Sequence, residues 1–120
     1  MTIALWIVNA LLALVFLAAG AMKLARPKAA LIERGMGWAQ GVSDTNVKLI
    51  GLAEVLGAIG LILPLAVNIA PVLTPIAAIG LAVVMIGAAV THVRRKESYL
   101  TQIVLLLLSV VSAVLGFIVI

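Results

Sequence analysis

Apolar positions along this chain fall into four long runs, separated by three stretches of different character. The first, Ile3 to Met22, is interrupted only by Asn9. Twenty helical residues rise about 30 Å, the thickness of a bilayer's hydrocarbon core. The second run lies within Val47–Pro64, the third ends near His92, and the fourth continues from Tyr99 to Ile120. This pattern predicts helices over about 3–23, 44–64, 75–93 and 99–120, with an interfacial segment at 27–38. The expected fold class is all-α: a four-transmembrane-helix bundle, antiparallel and up-down, built as a single domain over residues 1–120.

Polar punctuation sets the boundaries. Pro27 to Arg34 has the makings of one or two amphipathic turns, after which Gly35, Gly37 and Gly41 break any longer helix. Trp38 is expected to anchor this connection at headgroup level. Ser43 or Asp44 suits the cap of the second helix, Lys48 one to two turns on is expected to snorkel, and Pro64 falls near the helix end. The connection from Pro64 to Thr74 carries no charge, and Thr74-Pro75 makes a good helix start. Arg94 to Ser98 is so short a turn that the third and fourth helices must be antiparallel neighbours.

Composition supports the membrane assignment. The chain is 66% hydrophobic and 10% charged, with a mean hydropathy of +1.39, whereas soluble chains are about 45–50% apolar and about 25% charged. The net charge of +4 is less informative than its placement. All eight Lys and Arg residues lie in or beside the first and third connections. Such flanking charge reads as a topology signal and not as a nucleic-acid surface. It predicts a multi-pass protein of the cell (inner or cytoplasmic) membrane, with loops 24–43 and 94–98 cytoplasmic and both termini outside. Trp6 and Phe117 would mark the outer interface and Tyr99 the inner one. A cleaved signal peptide is the rival reading of the first run, given Ala19-Gly20-Ala21. No basic residue precedes that run and three follow it, which favours a retained helix.

One residue breaks the apolar logic. Glu54 stands within the second span, where a charge costs at least about 2.5–3.5 kcal/mol on insertion scales unless it finds a partner, a proton or a polar cavity. Gly51 and Gly57 lie three residues either side of it, and Gly60 follows. With Gly80 and Gly87 of the third span, these glycines are expected at helix-packing contacts. The topology places Lys23, Glu54, Thr91, His92, Thr101 and Gln102 at one depth. Two readings stay open. These residues form a proton and ligand pocket, with Glu54 as acceptor, His92 as donor or relay, and Lys23, Gln102 and Thr91 beside them. Alternatively, Lys23 or His92 pairs with Glu54 only to hold the bundle together. Asn9, Ser109 and Ser112 read as interhelical hydrogen-bond glue, and Met22, Met36 and Met85 as packing residues.

Other chemistries lack residues. One histidine, no cysteine and one intramembrane acid do not make a metal site. His92 could serve haem as one axial ligand, but no second histidine exists. No catalytic triad is present, so no catalytic residue is assigned.

Gly20-Ala21-Met22-Lys23-Leu24, the run from Gly51 to Pro64, and Thr74 to Arg95 together resemble the DoxX-like four-helix membrane proteins. The similarity covers nearly the whole chain. It implies a four-helix membrane protein whose relatives include subunits linked to thiosulfate–quinone oxidoreduction, subunits of oxidative-stress complexes and assembly chaperones for channels. Lys23, Glu54 and His92 match the family's polar motif positions, whereas the lack of cysteine speaks against sulfur chemistry by this chain itself. The expected function is a membrane subunit that binds a lipophilic redox molecule, a quinone, or supports an oxidoreductase partner. A non-catalytic structural or assembly subunit is the alternative, and a transporter the third. The lipid bilayer is the expected partner, together with further copies of the chain or a larger membrane complex.

Overall fold

In a computed structural model that describes residues 1–120, five α-helices and one short 3-10 turn account for nearly all of the chain, and no strand is present. The elements are α1 (Thr2–Ala25), α2 (Lys28–Glu33), the 3-10 turn (Gly37–Gly41), α3 (Asp44–Val67), α4 (Leu73–Arg94) and α5 (Leu100–Val119). Helices α1, α3, α4 and α5 are each long and apolar enough to cross a membrane. They run up and down in a four-membered ring: α1 packs on α3 and α5, and α4 packs on the same two. The longest dimension, 41 Å, matches a bilayer of about 40–45 Å with its headgroups.

Burial is inverted relative to a soluble bundle. Leu14, Val83 and Leu107 are at least 60% exposed, while Asn9, Glu54, Ser109 and Ser112 are almost wholly buried. Apolar side chains need no shelter from lipid, whereas polar ones do. The interior is filled by Leu12 and Phe16 of α1, Leu61 of α3, and Leu81 and Met85 of α4. Asn9 Nδ2 donates to the carbonyl of Leu61 at 2.9 Å, and the Ser112 hydroxyl donates to Asn9 Oδ1, so one polar chain joins α1, α3 and α5. Ser109 does not join it: its hydroxyl donates to Leu105 O of its own helix at 2.7 Å.

The second connection is shorter than its sequence suggests, spanning only Asn68 to Val72. Helix α3 runs past Pro64 for three residues and stops at Asn68, which adopts the left-handed conformation at φ 53°. A proline one turn from a helix end forfeits a single backbone bond and is tolerated there. Pro75 is the third residue of α4 rather than the first. It still falls within the first turn, whose N–H groups have no intrahelical acceptor. At the other end of α3, Ser43 is the N-cap and accepts from Asn46 N–H at 3.2 Å.

The tightest helix contact is backbone on backbone. A Cβ added to Gly20 would lie 2.6 Å from Gly51 O, and one added to Gly51 would lie 2.8 Å from Lys23 Cβ. Only glycine at both positions lets α1 and α3 approach this closely. Gly57 faces Leu81 and Gly60 faces Ala77, as their assignment to helix packing requires. Gly80 and Gly87 correct that assignment, because a Cβ at either would meet nothing within 4 Å. Both are exposed, and Gly87 borders the open space between the helices instead of a helix contact. In their place, Gly116 of α5 makes a close contact, against Pro75.

Gly20→Val is expected to cost about 3 kcal/mol, the upper end for overpacking, because the obstructing atoms are main chain and do not yield. Gly80→Val should change stability by less than about 0.5 kcal/mol. Unfolding titrations in mixed micelles compare the two; equal losses would contradict the assigned helix faces.

Candidate functional site

The approach of α1 to α3 at the two glycines decides what happens one turn further along. It lays the stem of Lys23 across Gly51, and the Lys23 ammonium then donates to Glu54 Oε1, forming an ion pair. Both residues are buried, Glu54 at 2% exposure and Lys23 at 8%. Removing two charges from water is costly, and their attraction offsets that cost only when they meet directly in a low-dielectric setting. Glu54 has met its charge without leaving the bundle.

Two further residues fix the lysine's end of α1. The Trp38 ring stands 5.6 Å from Lys23 Nζ, within reach of a cation–π interaction. The 3-10 turn folds the half-buried Trp38 over the helix ends, packed against a small cluster of Leu31, Ala39 and Val47. Lys48 is the second of these residues. Its ammonium donates to the carbonyls of Lys23, Leu24 and Arg26 at 2.7, 3.1 and 2.6 Å, an engagement with another element that its sequence position did not suggest. A cation there satisfies orphan carbonyls at the negative end of the helix dipole.

Above the ion pair opens a cavity of about 600 Å³. Lys23, Glu54, Thr91, His92, Thr101 and Gln102 all line it, so the six residues expected at one depth do share one space. Apolar residues of the spans, among them Val15, Val84, Met85 and Leu105, form the rest of the wall, and Met36, Trp38 and Val42 of the first connection close one side. All eight Lys and Arg lie towards this end, at the C-terminal ends of α1 and α4, at the N-terminal part of α3 and in the adjoining connections.

The individual groups differ in what they have to offer. Thr91 spends its hydroxyl hydrogen on Gly87 O of the preceding turn, at 3.0 Å. His92 Nδ1 and Gln102 Oε1 are buried without a hydrogen-bond partner. Buried polar atoms in folded chains are normally satisfied, so the unpaired Gln102 Oε1 beside the cavity marks a place where something else bonds. His92 does not contact Glu54; its nearest charged neighbour is Glu97, with Oε2 at 3.7 Å from Nδ1. No cluster of three or more imidazole and carboxylate groups forms that could hold a metal ion.

Sequence reasoning placed Lys23, Glu54, Thr91, His92 and Gln102 at a common level but overlooked Gly20, Trp38, Lys48 and Glu97. Gly20 lies three residues before Lys23, on the same helical face, as Gly51 lies three before Glu54. That matched spacing is a signal for a glycine crossing beside a charge pair. Nothing in the sequence announces that Trp38 folds over the helix ends or that Lys48 reaches a different helix.

Over residues 7–115 the chain matches the family model of the DoxX-like family. Comparison with curated proteins and with solved structures yields no match.

The geometry predicts strong coupling between the two charges. Lys23→Met or Glu54→Leu alone should destabilise the bundle by about 3–5 kcal/mol, since each leaves an uncompensated buried charge. The double variant should lose far less than the sum. A double-mutant cycle in mixed micelles measures this, and additive losses would show that the pair carries no coupling.

Proposed function

The chain belongs to the DoxX-like family and is a multi-pass integral membrane protein, and from that premise we propose that its cavity binds a lipophilic redox molecule, a quinone. The observation that carries this reading is the mixed wall of the 600 Å³ cavity. Ligand pockets are commonly about 300–1,000 Å³ and mostly apolar, with a few convergent polar groups. A quinone headgroup needs hydrogen-bonding partners for its two oxygens and apolar surroundings for its ring and tail. Glu54, His92, Gln102 and Thr101 supply the first, and the valines, Met85 and Leu105 supply the second.

In this reading Lys23 holds the electrostatics of the site by pairing with Glu54. Glu54 and His92 exchange protons with the ligand oxygens, and Gln102 and Thr91 help to position them. Electrons come from or pass to a partner oxidoreductase, for which this chain is the membrane subunit. The clustering of all eight basic residues at one end supports placing that end, with loops 24–43 and 94–98, in the cytoplasm of a cell whose inner membrane holds the protein. Both termini would then lie outside.

A structural or assembly role is the second reading, and one observation favours it. Gly80 and Gly87 leave two notches on the exposed side of α4, either side of the exposed Val83, to which a helix of another chain or of a second copy could pack.

Gentle purification followed by organic extraction should yield a quinone in near-stoichiometric amount. Added quinone should raise the unfolding temperature of the wild type. Glu54→Gln, which keeps an acceptor for Lys23 but not its counter-charge, should still fold, unfold at a lower temperature and lose that increase. An empty protein that co-purifies with a large complex, or a Glu54→Gln variant stabilised as well as wild type, would favour the structural reading.

A further inference from the structure

The turn that follows α4 closes back on His92. Lys96 N–H donates to Val93 O at 3.1 Å, and Glu97 N–H donates to His92 O at 2.9 Å. Between these bonds Lys96 adopts the left-handed conformation, with φ 58°. This is the Schellman closure, which brings the residue after the left-handed one over the last turn of its helix, commonly for a hydrophobic contact. Here the two side chains brought together are a carboxylate and an imidazole. Glu97 Oε2 stands 3.7 Å from His92 Nδ1, and Nδ1 is buried with no hydrogen-bond partner. The other carboxylate oxygen, Oε1, is held by Arg95 Nε. Glu97 is 30% exposed and His92 15%, so the pair reaches from the loop surface to the cavity wall.

We infer that Glu97 holds His92 in its neutral Nδ1–H tautomer, presents Nε2 to the cavity as a hydrogen-bond acceptor, and thereby selects the ligand in its hydroxyl-bearing, reduced form. The inference rests on the reading of the cavity as a quinone site. A lone pair on Nδ1 would face the lone pairs of Glu97, whereas a proton there points towards a carboxylate 3.7 Å away, an attraction longer than a hydrogen bond. In a neutral ring a proton on one nitrogen leaves the other an acceptor. The remaining charges around the ring are Arg94 and Arg95 at the end of α4, and Lys23 and Glu54 across the cavity. The last two are already engaged with each other.

Other groups on the wall point to the same choice. Gln102 Oε1 is a second buried acceptor without a donor, and Glu54 keeps one oxygen not paired with Lys23. The Thr91 hydrogen is spent on Gly87 O. At His92, Gln102 Oε1 and the free Glu54 oxygen a quinone carbonyl would meet lone pairs where a hydroquinone hydroxyl has a hydrogen to give, whereas the donors on the wall, Thr101, Lys23 and the Gln102 amide nitrogen, can serve the oxygens of either form. Glu97 is thus a positioning residue that acts through His92.

The chain has a single histidine, so ¹⁵N-histidine labelling reports one imidazole. In ligand-free protein at about pH 8, where an unperturbed imidazole is neutral, Nδ1 should carry the proton and Nε2 should not. Glu97→Leu restores the hydrophobic contact usual for this closure and keeps the turn, but should return the ring to the Nε2–H form. A wild-type Nε2–H tautomer would overturn the inference. A short-chain benzoquinone is then titrated, oxidised in one arm and kept reduced with dithionite in the other. The hydroquinone should shift the Nε2 resonance and bind about tenfold more tightly than the quinone, the worth of one good hydrogen bond. That preference should vanish in Glu97→Leu. Equal or tighter binding of the oxidised form overturns the selection and leaves the quinone reading standing; binding of neither form removes both.

Discussion

A positive and a negative charge sharing one low-dielectric interior is the constraint around which this bundle is arranged. Lys23 and Glu54 are unaffordable singly and tolerable together, and only at contact distance. That distance depends on the helices that carry them. Were α1 and α3 spaced by ordinary side chains, the charges would be held apart. Gly20 and Gly51 bring main chain against main chain one turn away from the pair. The glycine crossing and the charge pair are therefore one device: the crossing makes the pair possible, and the pair penalises any sliding of one helix along the other. Trp38 and Lys48 then close over this corner from the first connection and from α3.

The two halves of the bundle are built to different purposes. Towards the termini, Phe16 and Leu61 pack together and Asn9 bonds to Leu61 O and Ser112, while a wholly apolar groove between α1 and α3, lined by Ala10, Leu14, Ile59 and Leu63, opens on the outer side of the bundle. Towards the basic end, the helices enclose space instead of filling it, and the polar atoms that border this space include unpaired ones. Voids are costly in a well-packed interior. The 600 Å³ space at the basic end differs from the apolar groove at the other in having polar atoms on its wall to which an occupant can bond.

How far the sequence revealed this depends on what lipid allows. The four spans were legible because crossing a bilayer demands length and apolarity, both visible in a window of about twenty residues. The depth of Glu54, His92 and Gln102 was legible too, since it follows from helical rise and connectivity. Facing was not. In water, apolar residues point inward and reveal the buried side of a helix; in a bilayer, Leu14 on the outside and Leu12 on the inside look alike. Small residues were the remaining guide, and they misled at Gly80 and Gly87 while identifying Gly51, Gly57 and Gly60. Interactions that skip between elements left no local trace, as with Lys48 reaching α1, or Glu97 returning to His92 through a left-handed lysine where glycine would be the usual marker.

The clamp made by Lys48 also has a bearing on how the protein comes to be. Its three acceptors belong to the close of α1 and the residue after it, yet the donor lies more than twenty positions downstream. While the ribosome is still delivering the intervening stretch, the nascent first segment has bare carbonyls and a lone ammonium at its trailing edge. Both wants are met at once by the arrival of the next segment, which carries Lys48 for the former and Glu54 for the latter. The hairpin of α1 and α3 thus holds both partners of each of these contacts, whereas either helix alone holds only one.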